Sequence, residues 1–215
     1  MGEENRKIAV VLGGSFNPPT KAHAELLESA VEQLNADIGI FVPASENYVG
    51  RKIRRHGNKD KLYSEQERLA MLNAICETRE KLCVDTCEYG DDGHGHSYNT
   101  LCKVQDKYPN HRIFFLVGAD KVHELPRWHS SERLFKDFEF AVISRSDIDI
   151  EAVIEKDEVL TANRDRLRNI KACESMYGIS STEARKAIEG KDFDKLEKLM
   201  CPEVVDVVRG IEKFA

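Results

Sequence analysis

Short, nearly uninterrupted apolar runs alternate along this chain with polar stretches whose apolar residues return every third or fourth position. "KIAVVL" (7–12) reads as a buried strand, and "HAELLESAVEQL" (23–34) then places Leu27, Ala30, Val31 and Leu34 on one helical face. "DIGIFVP" (37–43) is a second strand closed by Pro43. "SENYVGRKIRRHGNKDKLY" (45–63) is polar, basic and aperiodic, so a long loop is expected there. A helix is expected over "SEQERLAMLNAIC" (64–76), where Ser64 and Glu67 form a capping-box pattern ahead of Leu69, Leu72 and Ile75.

"KLCVDTCE" (81–88) reads as a third strand, "SYNTLCKVQDKY" (97–108) as a helix stopped by Pro109, and "RIFFLVG" (112–118) as a fourth strand. "SSERLFKD" (130–137) is a short helix and "FEFAVISR" (138–145) a fifth strand. Residues 146–169 stay open, because "DIDIEAVIEK" suits either strand or helix. "GISSTEARKAIEG" (178–190) and "CPEVVDVVRGIEKF" (201–214) are two last helices.

Apolar strands alternating with amphipathic helices argue for an α/β fold. A Rossmann-like, doubly wound, mostly parallel sheet is expected, with a helical C-terminal portion. Residues 1–179 would form the core and 180–215 a helical portion of the same domain. The 215 residues, 41% hydrophobic, suffice for a sizeable core.

The formal net charge of -6 disfavours long nucleic acid as a partner, since backbone binding needs a basic stripe. No run reaches the roughly 20 apolar residues of a membrane span, and the first residues lack the apolar region of a signal peptide, so a cytoplasmic protein is expected. The six cysteines are then expected as reduced thiols. Cys83, Cys87, His94 and His96 could supply four soft ligands, but one residue between the histidines is too few for usual zinc spacing. Strand plus Gly/Asp-rich loop is the preferred reading, and no protein-held metal is expected.

The chemistry concentrates in "GGSFNPPTKAH" (13–23), directly after the first strand. Ligands of parallel sheets bind at the carboxyl ends of strands. Gly13 and Gly14 would allow close backbone approach and positive φ, so that the Ser15 and Phe16 amides could cradle phosphate oxygens. The helix start at Thr20 to His23 adds its dipole, and His23 would point at the same anion. The lysine of a kinase-type phosphate loop and the spacing of a dinucleotide fingerprint are both missing. The plain alternative is a tight strand-to-helix connection. "ISSTEAR" (179–185) offers a second helix start with hydroxyl donors, Thr182 as N-cap and Arg185 on the first turn, or else an ordinary capped surface helix.

Together, "GGSFNPPTKAH" and "ISSTEAR" resemble the paired signature of the (T/H)xGH nucleotidyltransferase superfamily, above all the nicotinamide/nicotinate mononucleotide adenylyltransferases. "VPASENY", "ERLAMLNA", "SYNTL" and "LVGADKVHELPRWH" extend the resemblance collinearly from about Ile8 to the C-terminal helices. It implies an enzyme that transfers the adenylyl group of ATP to a pyridine mononucleotide, with Mg2+ as cofactor and NAD or its deamido form plus pyrophosphate as products. A homo-oligomer is compatible with it.

By position, the resemblance gives Gly14, Ser15, Phe16 and Thr20 to the phosphate turn. It makes His23 and Arg185 the catalytic pair and Ser181 and Thr182 a second phosphate clamp. Gly118 and Asp120 would bind nucleotide, while Thr100 and Trp128 would meet the mononucleotide. Asp120 as a helix cap and Trp128 as a core anchor are the structural alternatives. Arg51 and Lys52 lie near the family's cationic phosphate ligands. Thr20 resembles animal-type members, Ala22 replaces the usual glycine, and the spacing of "GADKVHELPRWH" resembles bacterial members. The choice of pyridine therefore stays open. Phosphopantetheine adenylyltransferase, a cytidylyltransferase, or a non-catalytic nucleotide-binding protein on this fold are the alternatives.

Overall fold

The structure is a computed structural model that describes residues 6–55, 61–90, 96–144, 148–172 and 174–213. Six strands form one sheet in the order β3-β2-β1-β4-β5-β6. They are β1 (Lys7–Gly14), β2 (Ile38–Pro43), β3 (Leu82–Val84), β4 (His111–Gly118), β5 (Glu139–Ser144) and β6 (Leu167–Lys171). The pairs β1/β4, β4/β5 and β5/β6 are parallel, with Ala9 opposite Ile113, Leu116 opposite Ala141 and Ile143 opposite Ile170. The order reverses direction at β1, so the strand-end turn after it lies at a topological switch point.

The helices are α1 (Lys21–Gln33), α2 (Glu46–Arg55), α3 (Glu65–Glu77), α4 (Ser97–Lys107), α5 (Ala119–Val122), α6 (Ser131–Asp137), α7 (Ile150–Ile154), α8 (Glu158–Ala162), α9 (Ser181–Glu189), α10 (Phe193–Leu199) and α11 (Pro202–Glu212). The Rossmann-like α/β fold expected from the sequence is thereby established. The described residues cluster into two compact units. One contains residues 6–12, 26–40, 96–144, 148–172 and 174, the other 13–25, 41–55, 61–90 and 175–213.

In the first unit, Ile113, Phe114, Leu116, Phe140, Ala141 and Val142 fill the strand cores and are essentially inaccessible. Phe135 of α6 closes on Phe140 with ring centroids 5.1 Å apart. The last strand, β6, ends against Gln33 of α1. The Gln33 amide donates to the Lys171 carbonyl and accepts its N–H, each at 3.0 Å. One side chain thus satisfies backbone that an edge strand would leave open.

In the second unit, α3 begins with the expected capping box: Ser64 Oγ accepts the Glu67 N–H and the Glu67 carboxylate accepts the Ser64 N–H. Its buried stripe, Met71, Leu72 and Ile75, belongs to the same core as Val204, Val205 and Val208 of α11. Arg79 pairs with Glu203 at 2.6 Å beside that contact.

Three expectations are corrected and one open segment is resolved. Residues 46–55 are helical rather than loop: Ser45 Oγ accepts the Tyr48 N–H, Glu46 opens the helix, and Lys52, Arg54 and Arg55 close it, so charges complement the dipole at both ends. The third strand stops at Val84, because the Asp85 carboxylate accepts the Cys87 N–H and turns the chain. The open segment resolves into α7 and α8, capped by Asp149 and Asp157, followed by β6. The N-cap of α9 is Ser180, which accepts the Glu183 N–H, and not Thr182.

Candidate active site

The turn after β1 is built around a ring. Phe16 takes φ +44, a region bulky residues avoid, while Gly14 stays outside it. The positive φ expected at Gly14 is therefore corrected: a Cβ there would stand 3.0 Å from the Phe16 ring, so glycine gives that ring its seat. Phe16 is 1% exposed and packs edge-on to Phe41 at 5.5 Å and to His23 at 5.1 Å. That packing offsets a backbone cost of about 1–2 kcal/mol.

Thr20 is the N-cap position of α1, and its carbonyl accepts the His23 N–H. The Thr20 N–H donates to His23 Nδ1 at 2.9 Å, and Thr20 Oγ1 lies 2.8 Å from the same nitrogen. His23 so fills the third-residue place of a capping box, where glutamate is usual. With Nδ1 accepting, the ring proton sits on Nε2. The ring keeps partial exposure, yet the residues crowding it desolvate the charged form and pull its pKa down to about 4. His23 is a neutral hydrogen-bond donor at neutral pH.

"ISSTEAR" meets this turn directly. Ser181 Oγ donates to the Pro18 carbonyl at 2.8 Å, and Arg185 Nη1 donates to the Asn17 carbonyl at 2.7 Å. Because Ser180 does the capping, the hydroxyls of Ser181 and Thr182 are free for other work; Thr182 Oγ1 accepts from Arg185 Nη2 at 3.2 Å. Among the described residues nothing accepts from the Ser15 or Phe16 amides. Ser15 Oγ is buried with no partner. A cluster of such donors beside a helix start suits a phosphate.

Two residues escaped the sequence reading. Asn17 is buried: its Nδ2 donates to the Lys61 carbonyl at 2.8 Å and its Oδ1 accepts the Tyr63 N–H at 2.9 Å. Arg68 is 0% exposed; its Nε donates to the Tyr63 carbonyl at 3.2 Å and its Nη1 to the Ser15 carbonyl at 2.9 Å. Its guanidinium lies over the Tyr89 ring, and burial lowers its pKa. The signal was present, since Arg68 stands one turn before Met71 and Leu72 on the buried stripe of α3. Behind them the Tyr63 hydroxyl donates to Glu212 at 2.8 Å, and burial followed by that bond raises the Tyr63 pKa.

Thr100, Gly118, Asp120 and Trp128 belong to the other unit. At the end of β4, Asp120 folds its carboxylate back over Gly118, where a Cβ would meet Oδ1 at 2.4 Å. Asp120 lies inside the first turn of α5, and the N-cap place is Gly118. Trp128 is half-buried and edge-on to Phe115 at 6.2 Å. Its neighbour His129 stacks on His96 at 4.2 Å, and the His96 carbonyl accepts the Thr100 N–H at 3.2 Å. This stack, also unread in the sequence, joins the start of α4, with Thr100 buried on it, to the Trp128 loop. Arg51 and Lys52 sit on α2.

Among the described residues no group of three or more His, Cys, Asp or Glu is placed to hold a metal ion. His94, of the cysteine–histidine cluster, lies outside the described residues. No helix among them is long and apolar enough to cross a membrane.

The α/β fold and the turn at its switch point define the class, and the chain belongs to the cytidylyltransferase-like family, whose model matches residues 11–187. Within it, the chain groups with proteins named "Probable nicotinate-nucleotide adenylyltransferase". The protein of that name from Streptococcus pyogenes serotype M1 is 32% identical over 143 residues, 66% of this chain and 65% of that one. The chain therefore spans just under two thirds of that relative's length. The Exiguobacterium sibiricum protein is 32% identical over 135 residues, 63% of this chain and 67% of that one. Plasmodium falciparum nicotinic acid mononucleotide adenylyltransferase shares the fold. Its complexes with APC and with NaAD give TM-scores of 0.70 and 0.69 at 21% and 22% identity, covering 97% of this chain and 98% of that one.

Proposed function

We propose that this protein transfers the adenylyl group of ATP to nicotinate mononucleotide, in the cytoplasm. An oxygen of the mononucleotide 5′-phosphate attacks the α-phosphorus of ATP, and the bond from that phosphorus to the bridging oxygen of the leaving pyrophosphate breaks. The products are the deamido dinucleotide and pyrophosphate. The observation that carries this reading is the clamp of Ser181 and Arg185 on the turn that holds His23. The names of the bacterial relatives favour nicotinate over nicotinamide as the pyridine.

The nucleophile is already an anion, so no strong base is required, and catalysis reduces to positioning and charge neutralisation. In this reading the Ser15 and Phe16 amides and Ser15 Oγ hold phosphate oxygens. His23 donates through Nε2 to the α-phosphate or leaving group, where charge grows in the transition state. Arg185 supplies the cation opposite. Magnesium would arrive with ATP as part of the substrate and would offset the charge of its phosphates. Gly118 and Asp120 take the nucleotide sugar, and Thr100 and Trp128 take the mononucleotide.

Pyrophosphate release by the purified protein with MgATP tests the reading. Nicotinate mononucleotide should turn over with the highest kcat/KM, ahead of nicotinamide mononucleotide, and phosphopantetheine should be inert. Release with phosphopantetheine alone would keep a nucleotidyltransferase and overturn the pyridine. Silence with all three would leave a binding protein.

A further inference from the structure

A cavity of about 340 Å³ opens at the amino-terminal ends of β4 and β5, between Arg6 and the turn that enters β6. It lies wholly within the unit that contains β4. His111 on its wall begins that strand and Gly118 ends it, so roughly 23 Å of extended chain separates the cavity from the Asp120 loop. Open α/β sheets bind their substrates at the opposite, carboxyl ends. The proposed adenylyl transfer gives this cavity no task.

Its lining is unusual for an acidic chain: five arginine and lysine side chains face three carboxylates. One pair is closed on itself. Arg112 forks onto Glu139 with Nη2 to Oε1 at 2.7 Å and Nε to Oε2 at 3.0 Å, and Glu139 is buried. That pair forms a rigid, internally neutral floor. Arg166 and Lys136 have no ion-pair partner among the described residues, so a net positive charge remains above it. His111 Nδ1 is buried there with no hydrogen-bond partner.

The lining also says what the ligand is not. Among the described residues Ile113 is its one aliphatic residue, and no Phe, Tyr or Trp among them lines it to stack a base. Cations for a phosphate stand beside a carboxylate, Asp165, and a histidine nitrogen, which suit hydroxyl groups. We infer that this cavity binds a small sugar phosphate, with Arg166 and Lys136 on the phosphate and His111 and Asp165 on the hydroxyls.

Titration calorimetry at low salt tests this with the full chain and glucose 6-phosphate as probe, against inorganic phosphate and glucose. Glucose 6-phosphate should bind one to one. Its affinity should fall about 10-fold or more in the Arg166→Ala/Lys136→Ala double variant and in His111→Phe, as expected for charge-assisted bonds lost. It should be undiminished in His23→Ala, which separates this cavity from the phosphate turn. Circular dichroism of each variant checks that the fold is kept. Absence of binding, binding that survives in the folded double variant, or equal affinity for inorganic phosphate would each overturn the proposal.

Discussion

The backbone N–H of Thr20 donates to Nδ1 of His23 at 2.9 Å, and this single bond decides what the histidine can do. It commits Nδ1 to accepting, so the imidazole offers a proton only from Nε2. A helix cap and a candidate catalytic group are one device, set by three residues of sequence.

His23→Ala should therefore lower turnover by about 10² or more, the usual cost of one donor to transition-state charge. The fold should persist, because the Phe16 ring still packs on Phe41. Steady-state pyrophosphate release checks this. Because the pKa of His23 is about 4, wild-type kcat should stay flat through pH 6–8 as far as this residue governs it. An activity that falls as pH rises through 6.5 would mean that the imidazolium acts instead.

The same burial has a consequence for acid stability. Unfolded, the ring takes a proton near pH 6.5; folded, it resists until about 4. Between these values the unfolded chain binds more protons, so stability from this group is full above 6.5 and declines as pH falls toward 4. Partial exposure moderates the effect to about 2 kcal/mol. Urea melts at pH 7 and pH 4.5 should show that loss in the wild type and a smaller one in His23→Asn.

Arg68 anchors the turn after β1 through two carbonyls, with no carboxylate hydrogen bond among the described residues. Arg68→Met leaves the Ser15 and Tyr63 carbonyls without those donors, and a loss of about 2 kcal/mol is expected. Since Ser15 carries the proposed phosphate amides, kcat/KM should fall further than stability alone explains at a temperature where the variant is folded. Arg68→Lys keeps the charge without the fork, and should recover either property only in part.

Ser181 and Arg185 both hold the turn, yet they should separate in a kinetic comparison. Ser181→Ala removes one neutral hydrogen bond to Pro18, worth about 1 kcal/mol, and should cost little more than that in kcat/KM. Arg185→Ala removes a cation as well, and should lower kcat by about 10²–10³. Equal losses would reduce Arg185 to a structural clamp.

What was legible in the chain followed apolar period. β1, β2, β4 and β5 are runs buried on both faces, and no other element type accommodates "FFLV" or "FAVI" so simply. β6 was not legible because "LRNIK" is an edge strand with only Leu167 and Ile170 buried. α2 hid for a similar reason: it buries little beyond Val49 and Gly50, and its evidence is charge at its ends. In the site, motif residues were found because their types are unusual in turns. Asn17 was missed because its work is toward a backbone carbonyl and an amide 44 and 46 residues away, which no local pattern announces, whereas Arg68 lies on the apolar stripe of α3, where its charge alone reads as a solvated face.

Trp128 offers a test with two distinguishable answers. The indole is half-buried and touches Phe115 edge-on, so part of its face stays open beside the His96–His129 stack. A ring held this way has surface left for a flat ligand, and stacking on it would contribute about 0.5–1.5 kcal/mol beyond area burial. Trp128→Ala should then raise KM for the mononucleotide by about 10-fold with little change in KM for ATP, while Trp128→Phe keeps most of the affinity. The melting temperature should drop only slightly, since a half-exposed ring contributes less to the core than Phe135 or Phe140. A fall of many degrees with unchanged KM would make the residue a core anchor, and the mononucleotide would then need another aromatic partner.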